Sequence, residues 1–170
     1  MKTLASAAAA AALIATHAAP AAAQDDGAFV TFQVLKPEIA FEMATAAMEA
    51  CRAEGYQVGV TVVDRFGIPQ VFLRDRFAGL HVYETSRRKA WSAVSFRSST
   101  TDLDRATSPG EISQGIRHLS EALPLGGGLM VETGAGDMVG GIGVSGAPSP
   151  EADDVCAQAG IDAVADQIAF

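Results

Sequence analysis

The stretch from Leu123 to Gly160, LPLGGGLMVETGAGDMVGGIGVSGAPSPEADDVCAQAG, holds two strands around a glycine turn, then a Pro-started helix. Leu129, Met130 and Val131 predict one strand; Met138, Gly140, Ile142 and Val144 alternate along the next, with Thr133 to Asp137 as the connecting turn. The pattern is a hairpin. Gly140, Gly141 and Gly143 fall inside its second strand, where glycine weakens a sheet and marks close approach by another backbone, a side chain or a ligand. Ser149 is placed to cap the following helix with Pro150 at its first position. Glu151, Asp153 and Asp154 suit the positive end of that helix, so the acidic cluster reads as helix chemistry and not as a metal site.

Working outward, Pro37 to Glu54 has helical spacing, with Ala40, Ala44, Ala47 and Cys51 as a small-residue stripe and Gly55 as the stop. Val58 to Arg74 reads as a second hairpin turning at Asp64-Arg65-Phe66-Gly67, where Asp64 is expected to bond its own turn backbone. Val82 to Phe96 predicts a helix whose inner face is Ser86, Ala90, Ala93 and Val94. Arg87, Arg88 and Lys89 then face outward or toward a pocket rim. Trp91 on this helix is a packing anchor, or a plane on which a flat ligand stacks. A polar stretch with short helical possibilities runs from Ser98 to about Leu119. The order is helix, hairpin, helix, irregular polar region, hairpin, helix, with no repeat of fixed period.

Residues 1–23 combine Lys2, an Ala-rich apolar run too short to span a bilayer, and Ala21-Ala22-Ala23 before a polar break. They read as a secretory signal, which predicts a periplasmic or secreted protein. Residues 24–170 then form one domain of 147 residues, 23 fewer than the full 170. Without Lys2 the mature chain has 11 basic and 20 acidic residues, a net of −9, a poor partner for nucleic acid or an anionic membrane. Eight of the 11 basic residues nevertheless lie between Arg65 and Arg105, where part of the set could hold a small anionic ligand. Cys51 and Cys156 each fall on a predicted helix, and either form a disulfide or remain two buried thiols.

Zinc-type spacings, a phosphate loop, GxGxxG and a GxSxG elbow are all absent from the sequence. With His17 removed, the mature chain has His81 and His118. His81 is the more suggestive, because it ends the Ala78-Gly79-Leu80 loop and leads into the basic helix. Its imidazole can ligate a metal centre while Arg87 or Arg88 pairs with a carboxylate of the same ligand. An exposed histidine at a helix start, with no partner, is the plainer reading of the same residue.

Three blocks together resemble the GlcG/HbpS family, the haem-degrading domain family. They are Val62-Val63-Asp64-Arg65-Phe66-Gly67, then Ser86 to Ala93 (SRRKAWSA), then Gly126-Gly127-Gly128 through Gly141 to Gly146 (GIGVSG) and on to Ala157-Gln158-Ala159-Gly160. The resemblance runs from about Leu35 to the C-terminus. It implies a profilin-like α/β (α+β) sandwich, an antiparallel five-stranded sheet with helices on both faces, assembled as a homo-oligomer, a tetramer or octamer. Such folds place the first and last helices on one face, which favours the Cys51–Cys156 bridge. The resemblance also implies haem as cofactor. His81 is then the candidate iron ligand, Arg87 and Arg88 the propionate partners, and Gly140, Gly141 and Gly143 the wall of a cavity facing the His81 loop. One departure matters: where the family commonly has Arg-x-Asp-Gly-Ala after the second strand, this chain reads Arg74-Asp75-Arg76-Phe77-Ala78-Gly79-Leu80-His81. The reading is therefore an exported haem- or tetrapyrrole-binding protein, with assistance to haem degradation or iron handling as its expected role and catalysis left open. The alternative is a non-catalytic oligomer that binds a small carboxylate. A hydrolase or isomerase using Asp64 with His81 ranks last.

Overall fold

A computed structural model describes residues 27–169. The segment read as a signal, residues 1–23, lies outside the described residues. Residues 27–31 belong to a short N-terminal unit and carry no helix or strand; everything below concerns the unit that begins at Phe32.

Pro37 fixes the first turn of helix α1 (Pro37–Ala53), which buries Ala40, Met43, Ala44, Ala47, Met48 and Cys51. Gly55 takes the positive φ of 82° that lets the chain turn out of the helix. Strands β1 (Gly59–Asp64) and β2 (Pro69–Arg74) pair antiparallel. Asp64 closes their turn as expected, its Oδ1 accepting from the Phe66 and Ile68 amides at 2.8 and 3.0 Å. Helix α2 (Val82–Phe96) follows, then the short α3 (Thr100–Ala106), capped by the Ser99 hydroxyl accepting from the Asp102 amide. Strands β3 (Gly128–Glu132) and β4 (Met138–Ser145) form the second hairpin. Helix α4 (Pro150–Val164) starts with Ser149 as its cap.

The described strands make one antiparallel sheet in the order β2-β1-β4-β3. The sheet has four strands, not the five implied by the family resemblance. The chain from Leu35 passes directly into the Pro37 helix, and the polar run before β3 becomes α3 and a 3-10 turn. Pro124 has no amide to give a ladder, and Gly127 bends away at a φ of 112°.

Strand alternation sorts the core into two layers. Val60, Val62, Ile142 and Val144 join Met43, Ala44, Ala47, Ala157 and Val164 beneath α1 and α4. There Gly160 lets the two helices meet: a Cβ on it would lie 2.7 Å from Met43 O. The same two helices are joined by the Cys51–Cys156 disulfide, with Cα atoms 5.4 Å apart, so the bridge and not the pair of free thiols is what forms. The opposite face presents Thr61, Val63, Gly141 and Gly143 to α2, where Val63 packs with Ala90 and Val94.

Candidate functional site

His81 stands at the N-cap position of α2, at the end of the loop that leaves β2, and makes no side-chain capping bond. Its imidazole lies against Gly79, where a Cβ would sit 2.7 Å from Nδ1, so the glycine is needed for the ring's position. His81 is exposed and its ring makes no hydrogen bond with any described residue. The same loop and the first turn of α2 leave large apolar side chains in solvent: Phe77 at 80%, Leu80 at 92% and Tyr83 at 47%. Tyr83 is steadied edge-to-face on Phe72, with ring centroids 4.8 Å apart. Cations flank this surface, Arg76 with its guanidinium 5.9 Å from the Phe77 ring and Arg74 donating to Ala78 O at 2.5 Å.

Below His81 a cleft of about 400 Å³ runs between α2 and the start of α4. Thr85 Oγ1 lies 2.7 Å from Ser145 Oγ near its mouth. Lys89 and Asp153 lie deeper. Lys89 is only 1% exposed; its Nζ donates to Asp153 Oδ2 at 2.7 Å and to Val144 O at 3.0 Å. Asp153 Oδ1 accepts from the Ala147 amide. Burial pushes the Asp153 carboxyl above its ordinary range, while the Lys89 charge and hydrogen bond pull it back down. Lys89 is thus not on an outward face or a rim, and Asp153 does more than answer a helix dipole: the pair ties α2, β4 and α4 together. The Gly126-Gly127-Gly128 run makes room for it. A Cβ on Gly127 would lie 2.8 Å from Lys89 Nζ and 2.7 Å from Asp153 Cβ. Asp154 anchors the same loop, accepting from the Gly127 amide at 2.5 Å and from the Thr101 hydroxyl.

The other expected ligand residues are not gathered here. Arg87 pairs with Glu121 at 2.7 Å and with Glu84 at 3.1 Å. Arg88 donates to the Glu121 and Ala122 carbonyls. Both guanidiniums therefore fasten α2 to the segment before β3, apart from the His81 cleft. The glycines of β4 do not wall a cavity either. A Cβ on Gly143 would be 2.7 Å from Ala90 N and nearer still to Ser86 O; one on Gly141 would be 3.0 Å from Ala90 O. Gly140 faces Val63 O and Leu35. The close approach predicted from these glycines is real, but it is made by the backbones of α2 and β1. His81 alone of the expected set borders the cleft.

Lys89 and Asp153 had a faint sequence signal, a lone Lys after two Arg on a helix and an Asp in a capping turn, and nothing in either pattern points to a partner 64 positions away. Among the described residues no three His, Cys, Asp or Glu side chains come together to hold a bare metal ion. An iron at His81 would need its remaining ligands from a macrocycle.

Residues 35–162 match the family model of the haem-degrading HbpS-like proteins. The chain is 37% identical to an HbpS double mutant of Streptomyces reticuli, with a TM-score of 0.74 over 86% of this chain and 97% of that one. A PduOC–haem complex is 30% identical, with a TM-score of 0.71 over 76% of this chain and 94% of that one. A corrinoid adenosyltransferase PduO of Salmonella typhimurium is 32% identical over 124 residues, 72% of this chain. The chain spans only 37% of that enzyme's length.

Proposed function

Because the chain belongs to the family of HbpS-like haem-degrading proteins, a structural relative of which is a haem complex, we propose that it binds haem on the surface around His81. The observation that carries this reading is an imidazole with no partner among the described residues, standing beside exposed Phe77, Leu80 and Tyr83. Such a set fits a flat apolar ring that needs one nitrogen ligand, and Arg76 and Arg74, not Arg87 and Arg88, supply cations for carboxylate tails. A haem held there would bring a redox-active iron. The protein's part is to present the imidazole and to cover apolar area of the ring. The Cys51–Cys156 disulfide supports placement in an oxidising compartment, as export to the periplasm or medium would give.

Haemin titration of the purified protein should yield a saturable, shifted Soret band, and His81→Ala should abolish the shift while leaving the melting temperature unchanged. A spectrum identical to that of free haemin, or one indifferent to His81→Ala, overturns the assignment.

A further inference from the structure

At the far end of α2, about 22 Å from His81 by the rise of a 15-residue helix, the β1–β2 turn and the last helical turn enclose a second cleft of about 260 Å³. Arg65, Phe66, Gly67, Trp91, Arg97 and Met138 border it, with Ser95 at the edge and no acidic residue in its wall. Its charged groups are both cations, Arg65 and Arg97. The Arg65 guanidinium carbon lies over the Phe32 ring, 3.9 Å from its centroid, and Phe32 is itself held edge-to-face by Phe66. That contact holds the guanidinium at the cleft, and its N–H groups make no hydrogen bond or ion pair with any described residue. Among the described residues Arg97 has no ion pair or side-chain hydrogen bond and Trp91 Nε1 has no acceptor.

Two backbone features shape the cleft. Gly67, at a φ of 80°, gives the Trp91 ring its seat: a Cβ there would lie 2.7 Å from Trp91 Cδ1. Arg97 occupies the C-cap of α2 at a φ of 50°, the sole described non-glycine with positive φ. Glycine fits that left-handed position without strain. An exposed arginine kept at that backbone position against conformational preference, and paired with no described residue, points to a ligand as its partner.

We propose that this cleft binds a small dicarboxylate, with one carboxylate on Arg65, the other on Arg97, and the carbon body against Trp91 and Phe66. Bidentate guanidinium–carboxylate pairing supplies the charge recognition. The aromatic wall and the Met138 thioether favour a ligand with a hydrocarbon middle over an inorganic oxyanion. In a chain of net charge −8, a locally cationic hollow also concentrates such anions. The site stands apart from the haem surface and does not depend on it.

Trp91 is the chain's single tryptophan, so its fluorescence reports on this cleft alone. Succinate and glutarate, titrated at constant ionic strength into the full protein, should give a saturable change at millimolar concentrations, with acetate much weaker. Arg97→Gly removes the strain with the guanidinium, so it should melt at or above the wild-type temperature yet bind about tenfold more weakly, as should Arg65→Ala. Absence of a saturable change with either dicarboxylate, equal binding by Arg97→Gly, or tighter binding of inorganic phosphate than of the dicarboxylates overturns the proposal.

Discussion

Substituting Gly143 by alanine tests the idea that the β4 glycines serve helix packing and not a ligand. The added Cβ would stand 2.7 Å from Ala90 N and 3.0 Å from Ser86 C, with Ser86 O nearer still. Ordinary contact begins near 3.4 Å, so α2 must lift by at least about 0.7 Å at Ala90 and more at Ser86. Every obstructing atom is backbone, which no rotamer change relieves. Overpacking of this kind costs about 1–3 kcal/mol. The lift also opens the buried hydrogen bond between Thr61 Oγ1 and Ser86 Oγ, now 2.7 Å; Ser86 keeps the Tyr83 carbonyl, and the enclosed Thr61 hydroxyl is left short of a partner for another ~1 kcal/mol. The total is about 3 kcal/mol, or roughly 6–12 °C in Tm for a domain of this size. Urea and thermal unfolding of Gly143→Ala, with the disulfide intact, give the number. Gly115→Ala, where nothing lies within 4 Å of the new methyl, is the control and should stay within about 0.5 kcal/mol of wild type. A Gly143→Ala protein as stable as that control would refute the packing account and reopen the strand as a ligand wall.

Lys89→Met leaves Asp153 buried beside no cation and should cost about 3–5 kcal/mol in urea unfolding; adding Asp153→Leu should recover part of that loss, and a neutral single variant would contradict the burial of the pair. Replacing Cys51 and Cys156 with alanine opens a connection spanning 105 positions and should lower unfolding free energy by about 4.7 kcal/mol, read against the oxidised parent; a loss below about 1 kcal/mol would show that the bridge constrains little. The Asp75 carboxyl is held below its ordinary 3.8 by its hydrogen bond from Arg52, so its stabilising contribution is present above that value and lost as pH falls through the depressed pKa. Asp75→Asn should therefore melt lower at neutral pH and show a shallower decline below pH 3.8 than wild type; parallel curves would rule the coupling out.

The elements were legible from local pattern. The small-residue stripe on α1, the β-branched run of β1, the turn chemistry of Asp64 and Gly67, and the Ser149-Pro150 start of α4 all report backbone preference within a few residues. Read residue by residue they give two hairpins, hence four strands; the fifth came from the family resemblance and has no counterpart among the described residues. Lys89 could not be placed from periodicity, since a charged residue inside a helix is buried only where a distant carboxylate meets it, and Asp153 does so from another helix. Arg87 and Arg88 stand beside it in sequence and look equally free, yet Glu121 and the carbonyls before β3 take them up.

The sequence by itself determined where helices, strands and turns fall, the need for close approach at the β4 glycines, and the resemblance that leads to haem, because each depends on a short run of neighbouring residues. The tertiary structure alone decided what makes that approach, which cations are neutralised and which stay unpaired. Those outcomes rest on backbones and charges brought together from far apart in the chain, and a position's residue type does not record what will pack against it.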